Sequence, residues 1–446
     1  MSRTEIAIEP GPTSLMLKLA KGAPHAAPRG WLPLNLDPHA APSLRGAAGT
    51  PVRTYGEFIR DQLYSHAGVK EAIRTALGTV AGQQAPIYFR LESEEVEQLF
   101  WESLCDTGGK FVALDARWPI GRIAEPSTHQ ASRFHPFEAP LRVMAFISAA
   151  GISGKLEFDA LYAAIEKGRQ KGLQILLEVL VGEEQLHDSI KAAIQANRIK
   201  NTSVYPIPDQ GGVKDHILEF DPQILHFFCH GHTGHGVAQL ELATFADWVA
   251  HSPSGSTVVR INDLEAMAAS SDTDIWLITL NCCLGARPVD GLPSMARSLV
   301  TAGAPAVVGM AEPMAALDAN EFTRQFYPEV LTTFASRLVN SPPGNSVNFE
   351  WAEMLYRARS ALGSANARNT AKDREWAIPV LYTRPESFSV ALVSDALRQK
   401  VETLAEWLRT LGPNTPDRIR DMIHQEMMPP NVPPSLRPDR FGNFPE

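Results

Sequence analysis

The chain has 446 residues, a length that suggests two or three domains. Hydrophobic residues make up 44% and charged residues 20%, a composition typical of soluble globular proteins. Its formal net charge of −9 argues against a surface for nucleic acid or an anionic membrane. We find no secretory signal and no apolar run of about 18 residues, so we expect no membrane helix. We expect a cytoplasmic protein. The four cysteines are then expected to be reduced thiols.

Residues 1–53 contain eight prolines and little periodicity, which predicts an extended or loosely packed leader. Regular patterns begin after it. Apolar runs of strand length occupy residues 86–91, 110–115, 142–150, 173–180, 224–229, 274–281 and 304–311. Helical periods occupy residues 158–172, 183–197, 292–303 and 318–339. Buried strands that alternate with amphipathic helices predict an α/β fold with a mainly parallel β-sheet sandwiched by helices.

The C-terminal residues 389–446 have a different pattern. Leucines and Val401 follow helical spacing up to Gly412, and a second helix is predicted with Thr415 as its cap and Pro416 at its first position. The last stretch is proline-rich. We therefore predict three parts: the leader, a body at 54–388, and a short C-terminal helical appendage with a tail.

Two predicted strands end in reactive residues. His230 and Gly231 follow the strand at 224–229, and Cys282 and Cys283 follow Asn281 at the end of the strand at 274–281. Ligand sites in open α/β sheets lie beyond the carboxyl ends of strands. A cysteine and a histidine side by side form the smallest nucleophile and base pair. The backbone N–H groups of Gly231 and Cys283 are the predicted oxyanion hole.

These residues resemble the CHAT-domain cysteine proteases, a caspase-like branch of clan CD that is related to caspases and separase. The resemblance covers about residues 85–385, and the domain core about 135–385. The blocks that carry it are "LFWESLCD", "ILHFFCHG", "LITLNCCLGARPVDGLPSMARSLVTAGAPAVVGM", "FYPEVL", "WAEMLYRARSAL" and "EWAIPVLY". It implies a caspase-like fold, with the family histidine at His230 and the family cysteine at Cys283, and no cofactor or metal.

The resemblance also implies a function. CHAT proteins resemble regulated effectors of prokaryotic defence and cell death, which cleave a partner protein such as a gasdermin-like pore former after a sensor activates them. A protein substrate and an activating or regulatory protein are thus the expected partners, with no nucleic acid and no membrane.

Candidate substrate-pocket residues surround the expected pair. Phe228 and Asn281 stand two residues before the histidine and the cysteine, and clan members that cut after Lys or Arg can carry a carboxylate two residues before the cysteine. Neither residue is acidic, so these positions do not indicate a basic P1 residue. His232, Asp290 and Glu312 are the other candidates, the last two as pocket acids.

Two other functions stay open at this stage. The domain could be a catalytically silent scaffold or signalling module that acts through protein contacts. The run "HFFCHGHTGHG" at 226–236 also supplies enough ligand atoms for a zinc hydrolase, although its spacing matches no known zinc motif. In the protease interpretation, His226 and Cys282 pack inside the fold.

Overall fold

We describe the fold from a computed structural model of the chain. The structure describes residues 3–22, 30–34, 36, 38, 44, 51–126, 135–234, 237–270, 273–282, 294–365, 368–412, 415–429, 432–433 and 436–444. Within these ranges, none of the helices has the length and apolar character required to cross a membrane.

Strands and helices alternate through most of the described ranges. The strands are β1 (Thr4–Pro10), β2 (Leu15–Lys21), β3 (Leu32–Leu34), β4 (Ile87–Leu91), β5 (Ile120–Ile123), β6 (His135–Phe137), β7 (Leu141–Ile147), β8 (Ile175–Val181), β9 (Thr202–Pro206), β10 (Ile224–Phe228), β11 (His230–Gly234), β12 (Val237–Leu242), β13 (Thr257–Arg260), β14 (Leu277–Asn281), β15 (Ala306–Met310), β16 (Ser346–Phe349), β17 (Pro379–Thr383) and β18 (Phe388–Leu392). The helices are α1 (Val52–Tyr64), α2 (Ala67–Leu77), α3 (Glu94–Glu97), α4 (Lys155–Gln170), α5 (Glu184–Gln195), α6 (Gln210–Phe220), α7 (Phe245–Val249), α8 (Ile261–Ala269), α9 (Met295–Ala302), α10 (Ala316–Leu338), α11 (Tyr356–Ser364), α12 (Asp395–Thr410) and α13 (Asp417–Met427).

A 12-stranded sheet forms the centre of the molecule. Its strand order is β3-β2-β1-β4-β5-β17-β15-β14-β10-β7-β8-β9, and most neighbours are parallel, with antiparallel pairs at β3-β2, β2-β1 and β17-β15. Two smaller sheets have the orders β11-β12-β13 and β16-β18-β6. The predicted α/β fold with a mainly parallel sheet is confirmed.

The middle of this sheet is covered on both faces. Every residue of β10, β14, β15 and β17 is buried, although successive side chains point to opposite faces. Phe146 of β7 and Phe227 of β10 stand in register and stack with ring centroids 4.8 Å apart. Burial of both faces explains the nearly continuous apolar runs that the sequence contains at these strands.

Residues 4–21 of the predicted leader are extended, but they are not loosely packed. Strand β1 pairs in parallel with β4 and joins the leader to the central sheet. Its Ile6 and Ile8 are fully buried, as are Leu17 and Leu19 of β2. Prolines obscured this pattern in the sequence, but Pro10 stands at the end of β1, where it interrupts no ladder. The predicted boundaries at residues 53 and 388 fall inside α1 and β18, and the division of the chain into domains stays a prediction.

Three local predictions also differ from the structure. The apolar run at 110–115 forms a 3-10 turn at Val112–Leu114, because a short buried run can be a strand or a packed turn. Several short strands, among them β5 and β9 of the central sheet, are not predicted by the sequence pattern. The C-terminal appendage does consist of two helices, but α13 begins one residue later than predicted, with Pro416 as its N-cap.

The three strands at the centre of the sheet end at one level. Ile147 of β7 is in register with Phe228 of β10, and Phe228 is in register with Asn281 of β14. The residues that follow each strand therefore emerge together at one edge of the sheet. His230 and Cys282 follow two of these strands at this edge.

Candidate active site

His230 lies at the start of β11, immediately beyond the carboxyl end of β10. The chain bends at Cys229, and the imidazole of His230 is half-buried. Its Nε2 atom lies 2.9 Å from the carbonyl oxygen of Ala150. Since a carbonyl oxygen can only accept, Nε2 carries the ring proton in this contact. The Nδ1 atom of His230 is then the nitrogen that can accept a proton.

Ala150 reaches His230 from the turn that follows β7. The turn is tied to the neighbouring strand, because the Ser148 N–H donates to the Phe228 carbonyl at 2.8 Å. Gly151 follows with a φ of 73°, a left-handed conformation that favours glycine. The sequence could not identify Ala150, since a backbone carbonyl leaves no mark on residue type, and Gly151 was the only nearby signal.

The cysteine block is described up to Cys282. This residue is buried, with 5% of its surface exposed, in agreement with the predicted packing role. Cys283 and Asp290 lie outside the described residues, so their predicted roles stay predictions. Of the other cysteines, Cys105 is also buried, and burial raises the pKa of its thiol to about 11, which keeps it protonated at neutral pH.

Asn281 points into the fold. Only 4% of its surface is exposed, and its Nδ2 atom donates to Glu157 Oε1 at 2.9 Å and to the Ala319 carbonyl at 3.1 Å. Phe228, its neighbour in register, is also buried. Both side chains are occupied by internal packing, and the expectation that they line a substrate pocket is not supported.

The remaining pocket candidates differ in their surroundings. His232 is exposed on β11, where it is open to a ligand, and Gly231 beside it is half-buried. Glu312 is buried after β15, and its Oε2 atom lies 2.9 Å from Nε of Arg374. Its carboxylate is therefore engaged with the half-buried cation of Arg374, which argues against the predicted contact with substrate.

The described residues contain no group of three or more His, Cys, Asp or Glu side chains that could hold a metal ion. The ring of His226 is turned into the core, and His230 is bonded to a carbonyl. His235 lies outside the described residues.

The comparison with protein families decides the identity of this fold. The CHAT domain family matches residues 157–382, just over half of the chain, and this range contains both His230 and Cys283. The chain belongs to the CHAT domain family. Membership confirms the resemblance found in the sequence, and it agrees with a caspase-like cysteine protease at the level of the family.

Solved structures and curated proteins add little to the CHAT assignment. Two structures of the Saccharomyces cerevisiae separase–securin complex are similar to 75% of this chain, one at 14% identity and a TM-score of 0.34, the other at 13% and 0.37. The match spans 18% and 17% of those chains, less than one fifth of their length. No curated protein matches the chain in sequence.

The CHAT match begins at a buried carboxylate that sequence reasoning missed. Glu157 of α4 is fully buried beneath the carboxyl ends of β10 and β14. Its Oε1 atom accepts from Asn281 and Thr323, and lies 2.9 Å from His226 Nε2. An acidic residue in the first turn of a helix is common, so the sequence contained no signal for this contact.

A second buried carboxylate lies at the other end of the cysteine segment. The described chain resumes at Ser294, which is fully buried and donates from Oγ to Glu97 Oε1 at 2.7 Å. Glu97 also accepts from the Tyr382 hydroxyl and lies 3.4 Å from Arg297. Glu97 belongs to α3, which precedes the CHAT match, so residues outside the matched range contribute to this region.

Proposed function

We propose that this CHAT protein is a caspase-like cysteine endopeptidase, with Cys283 as nucleophile and His230 as general base and acid. The observation that carries the proposal is the 2.9 Å contact from His230 Nε2 to the Ala150 carbonyl at the carboxyl edge of the sheet. This contact leaves Nδ1 as the proton acceptor. Ala150 thus has the orienting role that a carboxylate has in other triads.

The register of the sheet supports the pairing of the two residues. Phe228 and Asn281 are opposite each other on neighbouring parallel strands, which lie about 4.8 Å apart. His230 follows Phe228 by two residues, and Cys283 follows Asn281 by two residues in the sequence. In the sequence, His230 and Cys283 therefore follow two neighbouring strands that end at the same edge of the sheet.

The reaction follows from these roles. The Cys283 thiol transfers its proton to His230 Nδ1, and the thiolate attacks the scissile carbonyl carbon. The Gly231 and Cys283 N–H groups stabilise the oxyanion, and His230 returns the proton to the leaving amine. Water, deprotonated by His230, then hydrolyses the thioester and regenerates the thiol. The Ala150 carbonyl stabilises the imidazolium form of His230 both when the thioester forms and when it is hydrolysed.

The proposed substrate is a partner protein, and a gasdermin-like pore former cleaved in defence or cell death is the specific candidate. Exposed His232 on β11 and Asp290 are the proposed contacts to the substrate, since Asn281, Phe228 and Glu312 are engaged inside the fold. A sensor or regulatory protein is the proposed activator.

Replacement of the nucleophile tests the proposal. Cys283→Ala should lower cleavage of a peptide library by at least about 10⁴-fold, the size of effect seen when a covalent nucleophile is removed. Cys282→Ala is the matched control, because it removes a neighbouring thiol that is 5% exposed, and it should retain activity. Circular dichroism checks that both variants are folded.

Two results would overturn the assignment. Full cleavage by Cys283→Ala would exclude this residue as nucleophile. Absence of any Cys283 adduct with an electrophilic peptide probe, with and without cell extract as a source of activator, would favour the silent scaffold.

A further inference from the structure

A buried polar network joins two helices to the two strands that end at the candidate site. Glu157 lies on α4, Thr323 and Tyr327 on α10, His226 on β10 and Asn281 on β14. All five side chains are at most 4% exposed. Only His226 was predicted to pack here, and the proposed reaction uses none of the five.

Asn281 is the hub of the network. One amide nitrogen, Nδ2, donates to Glu157 Oε1 at 2.9 Å and to the Ala319 carbonyl at 3.1 Å, and lies 3.3 Å from Thr323 Oγ1. Thr323 in turn donates to the same carboxylate oxygen at 2.5 Å. The last residue of β14 is thus fixed to both helices by its side chain.

His226 extends the network to the neighbouring strand. Burial raises the pKa of Tyr327 well above its ordinary value, so its hydroxyl stays protonated and can donate to His226 Nδ1 at 3.0 Å. The ring proton is then on Nε2, which lies 2.9 Å from Glu157 Oε1 but is not aligned for a full hydrogen bond. Glu157 therefore also lies against the end of β10, two residues before Phe228.

The carboxylate of Glu157 depends on these neutral donors. An ionised carboxylate buried at 0% exposure is unfavourable unless hydrogen bonds replace its water. Both hydrogen bonds go to Oε1, and within the described residues Oε2 has no partner. These two hydrogen bonds resist movement of Asn281, because a shift of its side chain would leave the buried carboxylate of Glu157 with fewer donors.

We propose that Glu157 is a positioning residue that fixes Asn281, and with it the carboxyl end of β14 that leads to Cys283. This inference rests on the proposed function, since it names what holds the strand end that precedes the proposed nucleophile in the sequence. Asn281 is suited to this role, because its amide can donate to a carboxylate. An aspartate there would put two carboxylates about 3 Å apart, which raises the pKa of one of them.

The test compares four variants. Glu157→Leu keeps the size of the side chain but removes the acceptor. Glu157→Gln keeps an oxygen that can accept from Asn281 and Thr323. Asn281→Asp creates the carboxylate pair, and Asn281→Asp/Glu157→Gln restores one donor and one acceptor between the two positions.

Two readouts separate positioning from stability. One is kcat and KM for a peptide that the wild-type protein cleaves, corrected for the folded fraction. The other is hydrogen exchange of residues 277–282 in β14, with residues 306–310 in β15 as the internal reference. The second readout needs no catalysis, so it tests the inference even where the proposed function fails.

We expect Glu157→Leu to lower kcat by about 10²-fold with little change in KM, as a displacement of about 1 Å can do. Exchange in β14 should rise while β15 is unchanged. Glu157→Gln should stay within a few-fold of the wild type. Asn281→Asp should have a low kcat at neutral pH, and its kcat should recover at lower pH, where one of the two carboxyl groups is protonated. The double variant should recover only part of the rate, because a carboxylate oxygen of the introduced aspartate would still face the Ala319 carbonyl.

Glu178→Leu is the matched control. Glu178 is also a buried carboxylate beside a histidine, with His216 Nδ1 at 3.0 Å from its Oε1, but it lies on β8, separated from β14 by β7 and β10. Its loss should reduce stability without changing kcat or exchange in β14. The inference is overturned if Glu157→Leu leaves both readouts unchanged, or if Glu178→Leu changes them equally. If Glu157→Leu does not fold, Asn281→Asp and its double variant decide the question by the same criteria.

Discussion

The central strands β7, β10 and β14 have buried polar groups at both ends, but the two ends use them differently. At the amino end, Gln223 and Asp221 bind backbone, and Asp274 binds the side chains of His135 and Trp276. Gln223 accepts from the Arg142 N–H through its side chain at 2.8 Å and from the Trp276 N–H through its carbonyl at 2.7 Å. Asp221 accepts from the Asp274 N–H at 3.2 Å.

At the carboxyl end, side chains bind mainly one another. Asn281, Thr323 and Glu157 form a cluster between strand and helices, and the half-exposed His230 contacts the Ala150 carbonyl. Bonds to backbone link the starts of the strands, whereas at the carboxyl end bonds between side chains join β10 and β14 to α4 and α10. Burial of polar residues therefore does not mark a site by itself, and neither does a contact between side chains, since Asp274 makes two of them at the amino end.

The largest effect is expected from Asp274→Ala at the amino end. Asp274 is 2% exposed, and it lies 2.7 Å from His135 Nδ1 and accepts from the Trp276 indole N–H at 2.9 Å. Loss of both contacts should lower the free energy of unfolding in urea by about 3–5 kcal/mol. Asp274→Asn, which keeps an acceptor, should lower the free energy of unfolding by less.

The same Asp274 variants test the comparison. The amino end is a structural region in our interpretation, so cleavage per folded molecule should not change in Asp274→Asn. A lower kcat in this variant with normal folding would contradict the division between the two ends.

The fold was more predictable than the site, and particular residues explain why. Ile224 to Phe228 form a continuous apolar run that predicts a buried strand whatever the tertiary contacts are. Glu157 is one of several acidic residues on amphipathic α4, and only the packing of α4 against α10 buries it, so no local pattern reveals its role. Ala150 acts through a carbonyl that every residue possesses.

Asp221 should make the free energy of unfolding depend on pH. Burial raises its pKa from an ordinary value of 3.8 to about 6. The folded protein then binds this proton more tightly than the unfolded chain, so stability falls as pH rises from about 4 to 6 and stays lower above. Two pKa units correspond to at most about 3 kcal/mol.

Asp221→Asn should remove this pH dependence and stabilise the protein at pH 7. The amide oxygen can still accept from Asp274, and asparagine tolerates the left-handed backbone found here, with a φ of 47°. The check is the difference in urea unfolding between wild type and variant at pH 4 and pH 7. Equal differences at the two pH values would show that Asp221 titrates normally in the fold.

The smallest effect is expected from Ser294→Ala, which combines the two kinds of bond in one side chain. Ser294 caps α9 by accepting from the Arg297 N–H at 3.2 Å, and it donates to Glu97 at 2.7 Å. Ser394 caps α12 with the same 3.2 Å bond, to the Leu397 N–H, and is its matched control. Ser394→Ala should lower the free energy of unfolding by about 1 kcal/mol, the usual value of a cap.

Ser294→Ala should lower the free energy of unfolding by about 2 kcal/mol, because a hydrogen bond to a buried carboxylate is lost together with the cap. Stability and kcat should also report on the two bonds differently. The backbone bond contributes to stability alone, as in Ser394→Ala, whereas the bond to Glu97 fixes the point at which the chain leaves the cysteine segment. Ser294→Ala should therefore lower kcat a few-fold per folded molecule, and Ser394→Ala should not. Equal behaviour of the two serines in both measurements would mean that Ser294 is a helix cap only, and that the carboxyl end is positioned from the Asn281 side.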